Sequence, residues 1–180
     1  MKGFFRLLSA LTTFCASILF MFSVPGWAQT TPMLTYEIRH ELLVSPDRYS
    51  VTVYQDGLAL VHYPEFMEKA GDYSVQLRPN EIQMFRLLLE HPLVQGFNAA
   101  EVRAQKESIE AQSQEMFHIS DDSHSDFSIN TNGKSKNIRW ANLEIDTRRF
   151  PGIGVLKKLA EIEAYLQNLD QHPTAQRVED

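Results

Sequence analysis

The chain has 180 residues, with 17 basic and 23 acidic side chains and a formal net charge of −6. A chain of this length suits one domain with a sizeable hydrophobic core. The acidic balance argues against a nucleic-acid-binding protein, because binding to phosphates needs a basic surface. It gives equally little reason to expect binding to an anionic membrane.

Residues 1–28 have the order that is typical of a cleavable signal peptide. A short basic start precedes an uncharged apolar run over 7–24, and Gly26 and Ala28 place small residues before the expected cut. An uncleaved membrane anchor is the alternative, because a bilayer is crossed by about 20 apolar residues. The helix-breaking Pro25-Gly26 pair and the small-residue site favour cleavage after Ala28.

The predicted leader contains the one cysteine of the chain, Cys15. A lipid-anchored cysteine would follow a small residue and end the apolar run, whereas Phe14 precedes Cys15 and the run continues. Cleavage leaves 152 residues without a thiol, so we expect no disulfide and no cysteine metal site. Lys2 and Arg6 leave as well, and the remaining 15 basic and 23 acidic side chains give a net charge of −8. We expect a soluble exported protein that is periplasmic or, alternatively, secreted, with no membrane association after cleavage.

Strand signals follow a lead-in over 29–34 that is predicted to be flexible. Apolar and polar residues alternate from Tyr36 onward, which indicates a half-buried strand. Turn signals such as Asp56-Gly57 separate this strand from further runs that are rich in β-branched and aromatic residues. The four strands predicted before the first helix cover about 36–43, 49–54, 58–63 and 73–77.

Three later segments have helical character. The first helix opens at Pro79, with Asn80 as the expected N-cap. The segment 99–116 is predicted to be a surface helix with one narrow buried edge, or to be partly disordered. Its thin apolar stripe consists of Val102, Ile109 and Met116. The last helix follows Pro151. Its apolar face consists of Ile153, Leu156, Leu159, Ala160, Ile162, Leu166 and Leu169.

Asn132-Gly133 is the strongest turn signal in the chain, because both residues tolerate the positive φ of a type I′ turn. It predicts a hairpin between strands around 127–129 and 138–140. A short further strand is expected at 143–145.

Together these elements predict an α+β fold, in which an antiparallel sheet of five to six strands in hairpins has two or three helices packed on one face. The single domain is expected to cover 35–170. Residues 171–180 are expected to form a disordered tail.

This layout resembles that of small exported bacterial domains of unknown function. The resemblance depends on the Asp56-Gly57 hairpin before a helix, on a second hairpin that turns at Asn132-Gly133-Lys134, and on a final helix that begins after Pro151. It would span about 36–169. It implies the hairpin–helix–hairpin–helix order and carries no catalytic residues with it.

The segment 118–126 is the densest set of potential metal ligands. The candidates are His118, Asp122, His124 and Asp126. An EF-hand is excluded, because that motif needs Gly and Glu where this chain has Phe127 and Gly133. Zinc or another divalent cation bound by the two histidines and a carboxylate stays possible, and the alternative is a polar loop. No other cofactor is expected.

Tyrosine and arginine side chains give the candidate partner-binding residues. Tyr49 and Tyr54 belong to a tyrosine-rich set of strands, which offers apolar area with polar tips or simply packs along the sheet. Arg148 and Arg149 precede the last helix, where they could bind an anion with help from its N–H groups. The alternative for the arginines is an exposed loop.

The sequence has no catalytic signature, since Gly-x-Ser-x-Gly, His-Glu-x-x-His and Gly-x-Gly-x-x-Gly motifs are absent. We therefore predict a non-enzymatic binding or accessory protein whose partner is an envelope protein or another envelope component. The alternative is a metal-binding protein or hydrolase centred on 118–126. The sequence identifies no catalytic residue, and it does not indicate the oligomeric state.

Overall fold

The computed structural model describes residues 31–40, 46–113 and 123–179. Within these ranges seven strands form one antiparallel sheet, with the order β6-β5-β1-β2-β3-β4-β7. The strands are β1 Pro32–His40, β2 Ser50–Tyr54, β3 Leu58–Tyr63, β4 Gly71–Gln76, β5 Ser123–Thr131, β6 Lys134–Ala141 and β7 Gln176–Arg177.

Five α-helices accompany the sheet in the same ranges. They are α1 Pro79–Leu89, α2 Pro92–Gln95, α3 Ala99–Ser113, α4 Leu143–Arg149 and α5 Gly154–Gln167, and a 3₁₀ turn follows at Leu169–Gln171. The predicted α+β class with an antiparallel sheet is confirmed. The expected counts of five to six strands and two or three helices were too low.

The first four strands form an antiparallel meander, in which β2 and β3 are joined by a tight turn. The β2–β3 turn needs Gly57, whose φ is +90°, and a Cβ at this position would lie 2.9 Å from the carbonyl oxygen of Leu77. Asp56 supports the turn, because its Oδ1 accepts a hydrogen bond from the Leu58 N–H at 3.1 Å. The predicted Asp-Gly turn is confirmed, and its conformation suits only glycine.

The second hairpin joins the meander at β1 rather than at its far edge. Asn132 and Gly133 have φ values of +51° and +70°, as a type I′ turn requires. β5 then lies antiparallel to β1, with Leu34 opposite Ile129 and Tyr36 opposite Phe127. This long-range pairing makes β6 one edge of the sheet.

One face of the sheet and the helices share a single core. On this inner face lie side chains such as Leu34, Val51, Val61 and Ile129, which are almost completely buried. The strands alternate, so the residues between them form an outer face that is mostly polar. The predicted apolar face of the last helix is confirmed by the buried residues of α5, which are Val155, Leu156, Leu159, Ile162, Glu163 and Leu166.

Both ends of the domain are more ordered than predicted. β1 begins at Pro32, and Met33 and Leu34 are buried, so half of the predicted lead-in belongs to the sheet. At the other end β7 pairs with β4, with Arg177 opposite Tyr73. The segment 171–180 therefore contributes a short edge strand. No local sequence pattern predicts its pairing with β4.

Two local predictions near helix starts were wrong. The N-cap of α1 is Arg78 instead of Asn80, and Glu81 Oε2 accepts the Arg78 N–H at 2.7 Å. The segment 143–145 is the start of α4 and not a strand. Asn142 adopts a left-handed conformation with φ +54°, which turns the chain out of β6 and into the helix.

α3 packs through a narrow edge, as expected, but the residues at this edge are different. Val102 is buried, whereas Ile109 is 39% exposed, and Met116 lies outside the described residues. Lys106 and Glu110, one and two turns beyond Val102, make ion pairs with Asp146 and Arg149. None of the helices in 31–40, 46–113 and 123–179 is long and apolar enough to cross a membrane.

Candidate functional site

A concavity of about 160 Å³ lies where the C-terminal half of β6 faces α3 and α4. We call it the cationic pocket. Its lining consists of Arg103, Lys106, His124, Arg139, Trp140, Ala141 and Asp146. Three of these side chains, Arg103, Lys106 and Arg139, are basic, whereas the chain as a whole has a net negative charge.

Asp146 forms the floor of the cationic pocket. It is only 2% exposed, and its Oδ2 accepts hydrogen bonds from Trp140 Nε1 at 2.8 Å and from Lys106 Nζ at 2.6 Å. The alternation of β6 turns Trp140 inward, and the first residues of α4 bring Asp146 beneath it. A buried carboxylate needs such donors, because an unpaired charge in the interior is strongly unfavourable.

Aromatic rings surround Lys106 and fix its position. The ammonium lies 5.5 Å from the ring centre of Trp140 and 5.2 Å from that of Phe150, within the range of cation–π attraction. Phe97 packs edge-on against Trp140 at 5.9 Å. The floor of the pocket is therefore a preorganised cluster of one carboxylate, one ammonium and aromatic rings.

Two arginines form the rim. Arg139 makes a two-point interaction with Asp126, at 2.6 Å from Nε and 2.9 Å from a terminal nitrogen, and this bonding raises the pKa of Arg139. Arg103 lies one turn before Lys106 on α3, is exposed, and makes no ion pair with any residue that the structure describes. A guanidinium without a partner carboxylate offers a forked set of donors to an incoming anion.

The chemistry of the cationic pocket suits the binding of an anionic group. Its rim supplies guanidinium donors, and on its floor Lys106 is paired with Asp146. A volume of about 160 Å³ exceeds the roughly 30 Å³ that one water occupies, and a carboxylate or phosphate group fits within it.

The predicted metal ligands are not brought together among the residues that the structure describes. His118 and Asp122 lie outside those residues, so that part of the prediction stays a prediction. His124 and Asp126 are two positions apart on the outer face of β5. Asp126 accepts contacts from Arg39 at 2.7 Å and Arg139 at 2.6 Å, and these cations compete with a metal ion for its oxygens. No group of three potential ligands occurs in 31–40, 46–113 and 123–179.

The two tyrosines predicted for partner binding do not form one surface. Tyr49 is 5% exposed and packs on the inner face, with its ring 5.0 Å from that of Tyr63. Tyr54 lies on the opposite face at the end of β2, because the intervening residues alternate. A shared binding role for Tyr49 and Tyr54 would need two separate contacts.

The two predicted arginines lie in the last turn of α4, not at the start of the following helix. Cations at this position complement the negative end of the helix dipole. Arg148 lies 3.4 Å from Glu144 at the surface, and Arg149 lies 3.4 Å from Glu110 of α3. Arg149 also covers the Phe150 ring at 5.1 Å, so it supports the back of the cationic pocket.

A second polar cluster is buried between the sheet and α5. Glu163 is 9% exposed, and its Oε1 accepts hydrogen bonds from the Tyr36 hydroxyl and from Ser125 Oγ, the latter at 2.6 Å. Burial, together with the Glu163 charge, raises the pKa of Tyr36, which therefore remains a donor. Tyr36 also contacts the rings of Tyr49 and Phe127. The cluster is enclosed by the core, so we assign it a structural role.

Sequence reasoning missed the residues at the centre of both clusters. Glu163 follows Ile162 in the apolar face of the last helix, and an acid inside such a stripe was the available signal. Lys106 occupies the position one turn after Val102 on the buried edge of α3. Asp146 had no signal, because a short strand was predicted over 143–145, directly before it.

Comparisons of the chain with family models, with curated proteins and with solved structures found no match. The class that the fold defines is therefore an antiparallel α+β domain, and its functional interpretation depends on its own residues.

Proposed function

We propose that this chain is an exported soluble domain, most simply periplasmic, that acts as a non-enzymatic binding or accessory protein of the cell envelope. It binds an anionic group of its envelope partner in the cationic pocket. The observation that carries the proposal is the exposed Arg103 beside Lys106 and Arg139, on a chain whose overall charge is negative.

Charge contrast supports this choice of surface. The mature chain, with its net charge of −8, repels acidic molecules in general. A local set of cations therefore determines where an anionic partner binds and how that partner is oriented. The aromatic floor adds a rigid base, since Trp140 and Phe150 are buried and held by Lys106. Polar side chains that are fixed before binding lose less conformational freedom when the partner arrives.

Capture from an envelope extract tests the proposal. The bait is residues 29–180 with a C-terminal tag, compared with the double variant Arg103→Glu/Arg139→Gln. The matched control is Lys157→Glu/Lys158→Gln, which makes the same change of charge on α5 outside the pocket. We expect one partner to be recovered with the wild type and the control, and at least tenfold less of it with the pocket variant. Equal recovery with all three baits, or no specific partner, would contradict the proposal.

Export is tested separately from binding. Expression of the full chain in a Gram-negative host, followed by fractionation and N-terminal sequencing, should give a soluble periplasmic product that begins at Gln29. A product that keeps Met1 and sediments with membranes would show that the leader is an anchor.

A further inference from the structure

β6 presents an open strand edge beside the cationic pocket. It is the terminal strand on its side of the sheet, and at eight residues it is far longer than β7 at the other edge. The type I′ turn makes Thr131 and Lys134 a hydrogen-bonded pair. The backbone groups of Lys134 and of every second residue after it therefore point toward β5.

The alternate residues of β6 point their backbone groups away from β5. These residues are Ser135, Asn137, Arg139 and Ala141. The Asn142 N–H donates to the Ser123 carbonyl at 2.7 Å, which confirms that the even-numbered positions face β5. No backbone hydrogen bond within 31–40, 46–113 and 123–179 reaches the odd-numbered positions from another element. Among the residues that the structure describes, the outward edge is thus a row of unused donors and acceptors.

Charge and shape indicate what this edge accepts. β6 carries Lys134, Lys136 and Arg139 and no acidic residue. Lys136 Nζ is held by the carbonyl oxygens of Gln95 and Phe97, at 2.5 and 3.1 Å. The cationic pocket includes Arg139, Trp140 and Ala141, so it opens onto the same edge at the C-terminal half of the strand.

We propose that an extended acidic segment of a partner protein adds to the sheet as a strand beside β6, with one of its carboxylates in the cationic pocket. This rests on the proposed function and names the partner chemistry and the binding mode. Main-chain hydrogen bonds to β6 supply the affinity, as in strand addition generally. Arg103 and Arg139 supply the preference for acidic side chains.

The charges on β6 favour this occupant over a second copy of the chain. Pairing of two β6 edges would bring together two strands that each carry Lys134, Lys136 and Arg139 and no carboxylate. Like charges on adjacent strands destabilise the pairing. An acidic segment instead brings the opposite charge to this cationic strand, and its carboxylates on the outer face can reach Arg139.

The first test uses a defined peptide and a matched pair of variants. The probe is an octapeptide of alternating threonine and glutamate with blocked ends, and the control peptide has lysine in place of glutamate. Asn137→Pro removes one outward N–H, which an edge strand tolerates, whereas Asn137→Ala keeps it. Trp140, the one tryptophan left after removal of 1–28, reports binding by fluorescence.

We expect the glutamate peptide to bind the wild type and Asn137→Ala with similar affinity, and the lysine peptide not to bind. Asn137→Pro should weaken binding of the glutamate peptide at least tenfold, and Arg103→Glu should weaken it as well. Binding that Asn137→Pro leaves unchanged but Arg103→Glu reduces would overturn strand addition while leaving the proposed function intact. No binding of the glutamate peptide, or a dimer that Asn137→Pro abolishes, would also overturn it.

Amide hydrogen exchange in the wild type provides a test that needs no variant to fold. The added strand should slow exchange at Ser135, Asn137 and Arg139 when the glutamate peptide is present. Exchange at Ile138 and Trp140 should change little, because their N–H groups already bond to β5. Slowing at both sets alike, or at neither, would contradict pairing along this edge.

Discussion

Lys106 Nζ lies 2.6 Å from Asp146 Oδ2, and this ion pair joins the middle of α3 to α4. The only other ion pair that joins α3 to the rest of the described chain is Glu110 with Arg149, at 3.4 Å. Val102 is the one fully buried apolar residue that α3 contributes. α3 is therefore held in place largely by polar contacts, and the wall of the cationic pocket depends on them.

Replacing Lys106 by methionine should destabilise the domain by about 3 kcal/mol. Methionine keeps much of the aliphatic stem but leaves the buried Asp146 carboxylate without its cation, and breaking one side of a buried pair is costly. Urea unfolding measures the change. Lys158→Met is the control, because the Lys158–Glu161 pair is at the surface and its loss should cost less than about 0.5 kcal/mol. Equal effects of the two substitutions would contradict a structural role for Lys106.

Removing the Tyr36 hydroxyl should cost about 1–3 kcal/mol, because Tyr36→Phe takes a donor from the buried Glu163 carboxylate. Tyr49→Phe should cost less, since the Tyr49 hydroxyl donates to a neutral acceptor, the Leu166 carbonyl oxygen at 3.4 Å, and not to a buried carboxylate. Chemical unfolding of both variants provides the comparison. A double-mutant cycle of Tyr36→Phe with Glu163→Gln should give a coupling of about 1 kcal/mol or more, and additivity would show that the two residues act independently.

His62 should make stability depend on pH. Its ring nitrogens lie 2.6 Å from Asp47 and 2.6 Å from Asp72, and the hydrogen bond to Asp47 raises the pKa of His62. Because the folded-state pKa exceeds the unfolded value of about 6.5, the stabilisation is complete below that pH and is lost as pH rises through the folded-state pKa.

The stabilisation by the His62–Asp47 pair is also lost at low pH. The hydrogen bond from His62 lowers the pKa of Asp47, so this contribution is lost as pH falls below about 4. The difference in Tm between the wild type and His62→Gln should therefore be largest near pH 5.5 and should shrink toward pH 8.5. A Tm difference that is constant over this range would show that the stabilisation does not depend on protonation of the His62 ring.

Deleting residues 172–180 should lower the free energy of unfolding by about 1–2 kcal/mol, although the sequence predicts a disordered tail here. His172 contacts Glu81 at 3.3 Å, Thr174 Oγ1 donates to the Gln76 carbonyl at 2.9 Å, and Arg177 donates to the Ala70 carbonyl at 2.7 Å. Each contact is partly exposed and contributes at most about 1 kcal/mol. Thermal unfolding of the truncated chain tests this. A shorter deletion of Glu179 and Asp180 is the control and should have no effect.

Short-range patterns were sufficient for much of the architecture. The type I′ turn at Asn132-Gly133 follows from the rare tolerance of these residues for positive φ. The apolar spacing of α5 and the alternation around Tyr36 and Val51 also decide locally which side chains face a core. The α+β class and the hairpins were predictable for this reason.

Local patterns were misleading where neighbours along the chain do not supply the partner. Leu143 and Ile145 suggest a strand, but the left-handed Asn142 ends β6 and the chain enters α4. β7 forms because β4 offers an open edge, which is a property of the assembled sheet and not of Gln176 or Arg177.

The candidate site was decided by the tertiary structure alone. Tyr36 and Glu163 are 127 positions apart and Lys106 and Asp146 are 40 apart, so no short window of sequence contains either pair. The pairing of β5 with β1 places β6 at the edge, and the ion pair of α3 with α4 then encloses the cationic pocket beside it. Secondary structure depends on neighbours within a few residues, whereas a binding site depends on which distant surfaces share a core. The amino-acid sequence by itself therefore determined the acidic balance and the fold class, and the leader stays a prediction from it, whereas the fold alone assembled the charges at the edge of the sheet.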